Sequence, residues 1–146
     1  MLERDDQVRE RLMAFVSDWA RKPRSFDWAG ANCCHFGSDW VEAIEGSRPI
    51  RYIEETPSVI DAVRVCARYG GLVGAVSYAL QREPIAAADA RIGDIVLIPP
   101  ERRIGSLVGV VGISAGDLVI VRAGDSVTML HANVTSKAWR VRCAER

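Results

Sequence analysis

The hydrophobic pattern of this chain changes near Pro84, from helical spacing before it to short β-branched runs after it. Before Pro84, apolar residues recur every three or four positions in segments separated by turn and capping residues. After Pro84, short apolar runs alternate with turn residues, as strands do. Helices followed by strands predict an α+β fold, with N-terminal helices packed on a C-terminal antiparallel sheet.

Four helices are predicted in the first half of the chain. Gly46 is placed as a C-terminal cap of the second helix, and Thr56-Pro57 provides an N-cap and a first-turn proline for the third. The third helix continues until Gly70-Gly71 stops it. The predicted helices cover residues 5 to about 22, 33 to about 45, 56 to about 69 and roughly 72 to 81.

About five strands are predicted in the second half, at residues 94–98, 107–113, 118–122, 127–130 and 139–143. Gly116-Asp117 and Gly124-Asp125 are hairpin turn signals between them. A chain of 146 residues with 49% hydrophobic content can bury one continuous core. We therefore expect a single domain over residues 1–146, mainly helical over 1–83 and mainly strands over 84–146.

Charge and composition argue against several function classes. The 19 Lys and Arg residues balance 19 Asp and Glu residues, so no global field favours nucleic acid or an anionic membrane. The charged N-terminal stretch does not have the pattern of a signal peptide, and no apolar run is long enough to span a bilayer. Four cysteines without regular spacing indicate reduced thiols in a protein made in a cytoplasm.

Cys33 is the residue best placed for chemistry. It lies at the predicted start of the second helix, where unpaired backbone N–H groups and the helix dipole favour a thiolate. A free cysteine is also among the most buried residue types, so a structural role for Cys33 stays open. Cys33, Cys34 and His35 fan out by about 100° each around a helix and cannot converge on one ion. We therefore expect no metal and no cofactor.

Four short stretches carry a family resemblance. They are Phe26-Asp27-Trp28 through Asn32-Cys33-Cys34-His35-Phe36, then Asp39-Trp40-Val41-Glu42-Ala43, Ala90-Arg91-Ile92-Gly93-Asp94-Ile95-Val96, and Lys137-Ala138-Trp139-Arg140-Val141. A thiol at a helix start, followed by such a strand opening and an antiparallel meander, resembles the NlpC/P60 papain-like cysteine peptidases. More closely, the chain looks like a divergent NlpC/P60-like group of small proteins encoded in phage and prophage tail modules. The resemblance implies an NlpC/P60-like fold.

Only one catalytic position carries over from that resemblance. Cys33 falls on the family's nucleophile position, with Asn32 where the family has an aspartate. The family's base is a histidine in a His-Val-Gly-Ile-Tyr-like strand, and the counterpart here is Val110-Val111-Gly112-Ile113-Ser114, with valine at the base position. The family's third polar group would fall within residues 118–122, which contain no His, Asn or Gln. These departures count against peptidase activity.

The chain's two histidines are the remaining candidates for a base. His35 lies two residues after Cys33, a rotation of about 200° around a helix, and so points away from the thiol. His131 follows the predicted strand 127–130 and could approach Cys33 from a neighbouring strand, so it is a speculative base. The four tryptophans could form a carbohydrate-stacking platform, although their spacing places most of them in the core.

The resemblance implies a phage tail-tip or baseplate structural or assembly subunit with a degenerate NlpC/P60-like peptidase site. Its partners would be other tail-tip, hub or distal-tail proteins, and it would reside in the virion if it is retained in the particle. The alternative is an active cysteine peptidase or amidase acting on peptidoglycan peptides during phage entry, with Cys33 as nucleophile and His131 as an unconventional base. Neither function requires nucleic acid or membrane insertion.

Overall fold

The computed structural model describes residues 2–21, 33–49, 59–99, 109–123 and 126–142. Over these residues, four helices precede six strands, which confirms the predicted α+β order. The helices are α1 (Leu2–Arg21), α2 (Cys33–Glu45), α3 (Val59–Arg68) and α4 (Leu72–Leu80). The strands are β1 (Ile85–Ala86), β2 (Ile95–Ile98), β3 (Val110–Ser114), β4 (Leu118–Ala123), β5 (Ser126–His131) and β6 (Lys137–Trp139).

The predicted helix ends are largely confirmed. α2 begins at Cys33 and ends at Glu45, and Gly46 then adopts a φ of 87° and donates its N–H to the carbonyl of Glu42 at 2.8 Å. This left-handed cap needs the conformational freedom of glycine. α3 and α4 are separated at Gly70 and Gly71, as predicted. The predicted Thr56-Pro57 N-cap lies outside the described residues.

The strands form one antiparallel sheet in the order β1-β6-β2-β3-β4-β5. β2, β3, β4 and β5 follow one another as a meander, and the predicted Gly116-Asp117 turn joins β3 to β4. The predicted Gly124-Asp125 turn lies outside the described residues. Residues 132–136 then carry the chain from β5 across the sheet to β6, which lies between β1 and β2.

Two strand predictions are corrected by the structure. The sheet has six strands in the described part of the chain instead of about five, because β1 is only two residues long and too short to give a periodic pattern. The last strand, predicted at 139–143, instead covers Lys137–Trp139. Beyond Trp139, the N–H of Val141 donates to Asp94 and that of Arg142 donates to Glu45. Side-chain carboxylates thus take the place of a strand partner there.

The two faces of the sheet pack against different layers. On the helix face, side chains from β2, β3, β4 and β6 join buried side chains of the four helices in one core cluster. On the far face, a second cluster consists of buried strand side chains, against which the crossing residues Ala132 and Val134 pack. The far-face cluster contains Val96, Ile98, Val110, Val119, Val121 and Ala138.

Helices α1 and α2 run antiparallel on the helix face, joined by aromatic contacts. Trp19, near the end of α1, meets Phe36 of the first turns of α2 edge to face, with ring centroids 5.0 Å apart. At the other end of the pair, Arg11 donates to the carbonyl of Ala43. Trp19, Trp40 and Trp139 are all buried, which confirms their predicted core role. Trp28 lies outside the described residues.

Candidate functional site

The first turn of α2, which begins at Cys33, lies at the end of the sheet where β3 starts. Two observations give the direction in which α2 runs over the sheet. A Cβ on Gly37 would lie 3.2 Å from Cγ1 of Val111 in β3, and Nε1 of Trp40 donates to the carbonyl of Gly93, before β2, at 2.8 Å. Because β2 and β3 are antiparallel, α2 runs in the same direction as β3. The side chains of Cys33 and Cys34 lie outside the described residues.

Close packing between α2 and the sheet depends on the absence of a side chain at Gly37. With Cγ1 of Val111 only 3.2 Å from the position of a Cβ, a side chain larger than that of alanine would push the helix away from β3. Gly37 follows Cys33 by about one helical turn, roughly 6 Å along the axis. The first turn of α2 is therefore held over the beginning of β3.

Val110, the residue that the NlpC/P60 resemblance aligns with a catalytic base, opens β3 and has no proton-accepting group. It is 7% exposed and packs on the far face with neighbours such as Val96 and Val119. α2 lies on the opposite face, the helix face, where Val111 is part of the core cluster. Val110 is thus an apolar side chain that points away from the helix carrying Cys33.

Arg122 is the polar side chain of β4 that lies nearest to this position. The pairing of Gly112 with Val121 places Arg122 beside Val111, on the helix face. Its side chain is buried, and its guanidinium carbon lies 5.7 Å from the centre of the Trp19 ring. A guanidinium is a permanently charged donor and cannot accept a proton. Arg122 therefore cannot replace a catalytic histidine.

His131, the speculative base, lies at the other end of the sheet. It pairs with Leu118, and Leu118 bonds to Ala115 across the β3–β4 turn. Val110 and Ala115 are five residues apart, so His131 lies about 17 Å along the strands from the start of β3. His131 is exposed, and its Nδ1 accepts a hydrogen bond from the N–H of Asn133 at 3.1 Å. Its described contact is that of a cap on the turn that follows β5.

His35 is buried within α2 at 9% exposure. Its place two residues after Cys33 puts it on a different side of the helix from the thiol. The chain has only these two histidines, so the backbone placement brings no imidazole of this protein to the first turn of α2 from a neighbouring strand.

The space under the first turns of α2 is filled by aromatic side chains. Phe36 is fully buried and contacts both Trp19 and Phe15, with ring centroids 5.0 and 5.5 Å away. Phe15 also lies 5.4 Å from Trp40, between centroids. Such packing fixes α1 and α2 to each other, so this end of α2 is a rigid part of the core.

A profile of the domain family described as a domain of unknown function, DUF6950, matches residues 3–141 of the chain. The chain belongs to this DUF6950 family. The match includes all four helices and all six strands apart from the first residue of α1. No curated protein matches the chain. The family description names no activity, so the function of this DUF6950 protein has to be argued from its residues.

A polar network that the sequence did not predict lies at the opposite end of α2 in this DUF6950 fold. Asp94, immediately before β2, is fully buried and accepts hydrogen bonds from the N–H groups of Arg91 and Val141 and from Nη1 of Arg140. Burial raises the pKa of Asp94, and these donors and the Arg140 charge offset only part of that effect. The carboxylate holds the chain end after β6 against the start of β2.

A second carboxylate of the same network, Glu45, closes α2. Both of its oxygens accept hydrogen bonds from Arg82, and Oε2 also accepts the N–H of Arg142 at 2.7 Å. Burial alone would raise the pKa of Glu45, but the Arg82 and Arg142 donors and charges outweigh it and hold this pKa below its ordinary value. Arg82 further donates to the carbonyl of Arg140. These contacts hold the end of α2, the residue after α4 and the residues after β6 together.

The remaining candidate features of this DUF6950 domain are metal ligands, membrane-spanning helices and the other cysteines. Among the described residues, no group of three His, Cys, Asp or Glu side chains could hold a metal ion, and no helix is long and apolar enough to cross a membrane. Cys66 is buried in the core cluster of the helix face. Cys143, like the side chains of Cys33 and Cys34, lies outside the described residues.

Proposed function

We propose that this protein is a structural or assembly subunit of a phage tail tip or baseplate, built on an NlpC/P60-like domain with a degenerate peptidase site. The tail context is supported by the resemblance of the stretches around Cys33, Asp94 and Trp139 to small phage and prophage tail-module proteins. The non-enzymatic part is supported by one structural observation. The strand positions that face the start of α2 are occupied by Val111 and Arg122. Val110 occupies the position that the NlpC/P60 resemblance aligns with a base.

None of these three side chains can accept a proton at neutral pH. At neutral pH, a cysteine without a positioned base is mostly protonated, and only a few per cent of it is thiolate. Loss of a general base typically lowers a rate by about 10²- to 10⁴-fold. The dipole of α2 favours a thiolate, but it does not transfer a proton to a leaving group. Peptide hydrolysis at Cys33 would therefore lack a group that protonates the leaving amine.

The role proposed here works by surface complementarity instead of chemistry. The aromatic packing of Phe15, Trp19 and Phe36 supports this, because it makes the end of α2 a rigid part of the core. The Glu45 and Asp94 contacts likewise fix the chain end after β6 to α2 and β2. A rigid domain with both ends of α2 tied down is suited to docking between fixed neighbours, which are expected to be other tail-tip, hub or distal-tail proteins.

The alternative is a working cysteine peptidase or amidase on peptidoglycan peptides. One observation favours it: α2 begins at Cys33, so the thiol lies where helix N–H groups can activate it. This reading needs a base other than His35 and His131 as they are placed in the fold. The two functions make opposite predictions for removal of the thiol.

The test uses the phage or prophage that encodes the chain, with its gene deleted and then complemented. We expect the deletion to yield particles with incomplete tails, visible by negative-stain electron microscopy. Wild type, Cys33→Ala and the matched variant Cys34→Ala should all restore tails and infectivity to within about twofold of one another, since a degenerate site contributes no chemistry.

Two results would decide otherwise. Normal, infective tails after deletion would contradict a role as a tail subunit. Cys33→Ala particles that assemble but neither degrade peptidoglycan nor infect, beside Cys34→Ala particles that do both, would establish the peptidase instead.

A further inference from the structure

Large apolar side chains are exposed at four places in the described part of the chain, and three of them lie on one margin of the molecule. Met129 in β5 is 49% exposed, Leu118 in β4 is 41% exposed and Met13 in α1 is 38% exposed. Tyr78, the fourth, lies in α4. Clustered exposed apolar side chains mark interaction surfaces more often than scattered ones do.

Met129 and Leu118 share the helix face at the outer side of the sheet. Met129 pairs with Ile120, which belongs to the helix-face core, and Leu118 is two residues from Ile120 in the same strand. Side chains two residues apart point to the same face of a strand. Both exposed side chains thus lie on the part of the helix face next to the free edge of β5.

Met13 lies beside them on the helix layer. α1 passes over this side of the sheet, because Trp19 lies over Arg122 of β4. Met13 precedes Trp19 by six residues, about 9 Å along the helix, which brings it to the level of Ile120 and Met129. Phe15 contacts α2, and Met13 is about 200° from Phe15 around the helix, so Met13 points away from α2 towards the β5 margin.

In the described part of the chain, the strand at this margin is an edge strand. Within the described residues, β5 pairs with β4 on one side and with no strand on the other. Its sequence, Ser-Val-Thr-Met-Leu-His, contains no proline and no Lys, Arg, Asp or Glu. Edge strands of monomeric proteins are usually protected by charges, proline or bulges, because their unpaired backbone groups can pair with another strand. β5 has none of these features over its six residues.

We infer that two copies of this chain pair through β5, antiparallel about a twofold axis perpendicular to the sheet. This arrangement continues the sheet from one copy into the other. It also keeps the helix faces on the same side, so Met13 and Met129 of one copy approach those of the second. The same apolar side chains of both copies therefore meet across the axis, as they do in a twofold interface. The formal net charge of zero adds no repulsion between copies.

The size of the patch predicts a weak dimer. β5 is about 20 Å long, and a sheet with one helix layer is about 20 Å thick, so each copy contributes about 400 Å² of flat area. Two copies together cover about 800 Å², somewhat below the 1,000 Å² or so that specific interfaces usually exceed. We expect reversible association that is visible at high micromolar concentration.

The test is sedimentation equilibrium of the purified full chain over micromolar to near-millimolar concentration. The wild type should rise from the mass of one chain towards that of two. Met129→Lys and Met129→Glu, at a half-exposed site that tolerates charge, should each raise the dissociation constant at least about tenfold, since like charges would meet across the axis. An equimolar mixture of the two variants should recover association, because Lys then faces Glu. Tyr78→Lys, at a similarly exposed site outside the margin, is the matched control and should behave as wild type.

Three results would overturn the proposal: a wild type that stays monomeric throughout, a dimer that Met129→Lys leaves unchanged, or a mixture that associates no better than either variant alone. Thermal unfolding of each variant shows whether it is folded, so a loss of association is read only from folded protein. The proposal stands apart from the tail role and the peptidase site. A monomeric wild type would contradict pairing through β5 and leave the proposed function as it was.

Discussion

Arg82, which follows α4, donates to both carboxylate oxygens of Glu45, the last residue of α2. Both side chains are largely buried, and Glu45 also accepts the N–H of Arg142. One carboxylate therefore ties together the end of α2, the end of α4 and the chain end after β6. Such a charge-assisted pair contributes more than a surface ion pair, because its partners have few waters to replace the lost bonds.

Glu45→Gln should destabilise the fold by about 1.5 to 3 kcal/mol at neutral pH, the usual range for hydrogen bonds to charged groups. The pKa of Glu45 is held below its ordinary value of 4.5 in the folded protein. Its contribution is therefore present above pH 4.5 and is lost as the pH falls through the lowered value. Urea unfolding between pH 3 and 7 should show the gap between wild type and variant closing towards acid. A gap that does not change with pH would contradict the ion pair.

Asp94→Asn should show the opposite trend with pH. Burial raises the pKa of Asp94 above its ordinary value of 3.8, so its contribution to stability is greatest below pH 3.8 and falls as the pH rises through the raised value. The variant loses this titration. It also leaves one of the donors from Val141, Arg91 or Arg140 without an acceptor, at a cost of about 1 to 3 kcal/mol. The stability gap in the same urea series should widen towards acid, and a gap that narrows would show that the folded state favours the ionised carboxylate.

The positions of these two carboxylates show what the sequence could and could not reveal. Asp94 opens the predicted strand 94–98, a position where Asp commonly bonds to nearby backbone, and it accepts the N–H of Arg91. The pairing of Glu45 with Arg82 joins residues 37 positions apart. Residue spacing carries no signal for a contact between the ends of two separate helices, so only the tertiary packing reveals it.

Gly112→Ala should destabilise the sheet by about 1 to 3 kcal/mol through overpacking. A Cβ there would lie 2.8 Å from Cγ1 of both Val119 and Val121, and 2.9 Å from the carbonyl oxygen of Ile120. The matched control is Gly37→Ala, whose Cβ would lie 3.2 Å from Val111 but would gain about 1 kcal/mol of helix propensity. Thermal unfolding should show a clear loss for Gly112→Ala and a small change for Gly37→Ala. A loss for Gly112→Ala as small as the change for Gly37→Ala would mean that β4 can move away from β3.

Val110→His introduces a histidine at the position that the NlpC/P60 resemblance aligns with a base, and we expect it to confer no peptidase activity. The side chain of Val110 is buried among far-face valines, so an imidazole there is desolvated and remote from α2. It should lower the free energy of unfolding by about 1 to 3 kcal/mol. Val110→Ile, which keeps the site apolar, should cost less than about 1.5 kcal/mol. A Val110→His variant that hydrolyses peptidoglycan peptides would show that residue 110 can reach Cys33.

The candidate site itself was only partly open to prediction. The start of α2 at Cys33 and the position of β3 follow from local patterns, and both are confirmed. Which face of β3 each valine joins depends on the register with β2 and β4, and a shift of one residue would exchange the faces. The burial of Arg122 under Trp19 depends in turn on how α1 crosses the sheet. Single-strand patterns do not contain that information.

The most direct test of the central claim is hydrolysis of peptidoglycan-derived peptides by the purified wild type, by Cys33→Ala and by Cys34→Ala, followed by mass spectrometry. If the site is degenerate, the wild type forms no product beyond the Cys33→Ala background at any pH from 5 to 9. Cleavage by the wild type that disappears in Cys33→Ala and survives in Cys34→Ala would contradict the account and establish Cys33 as a working nucleophile.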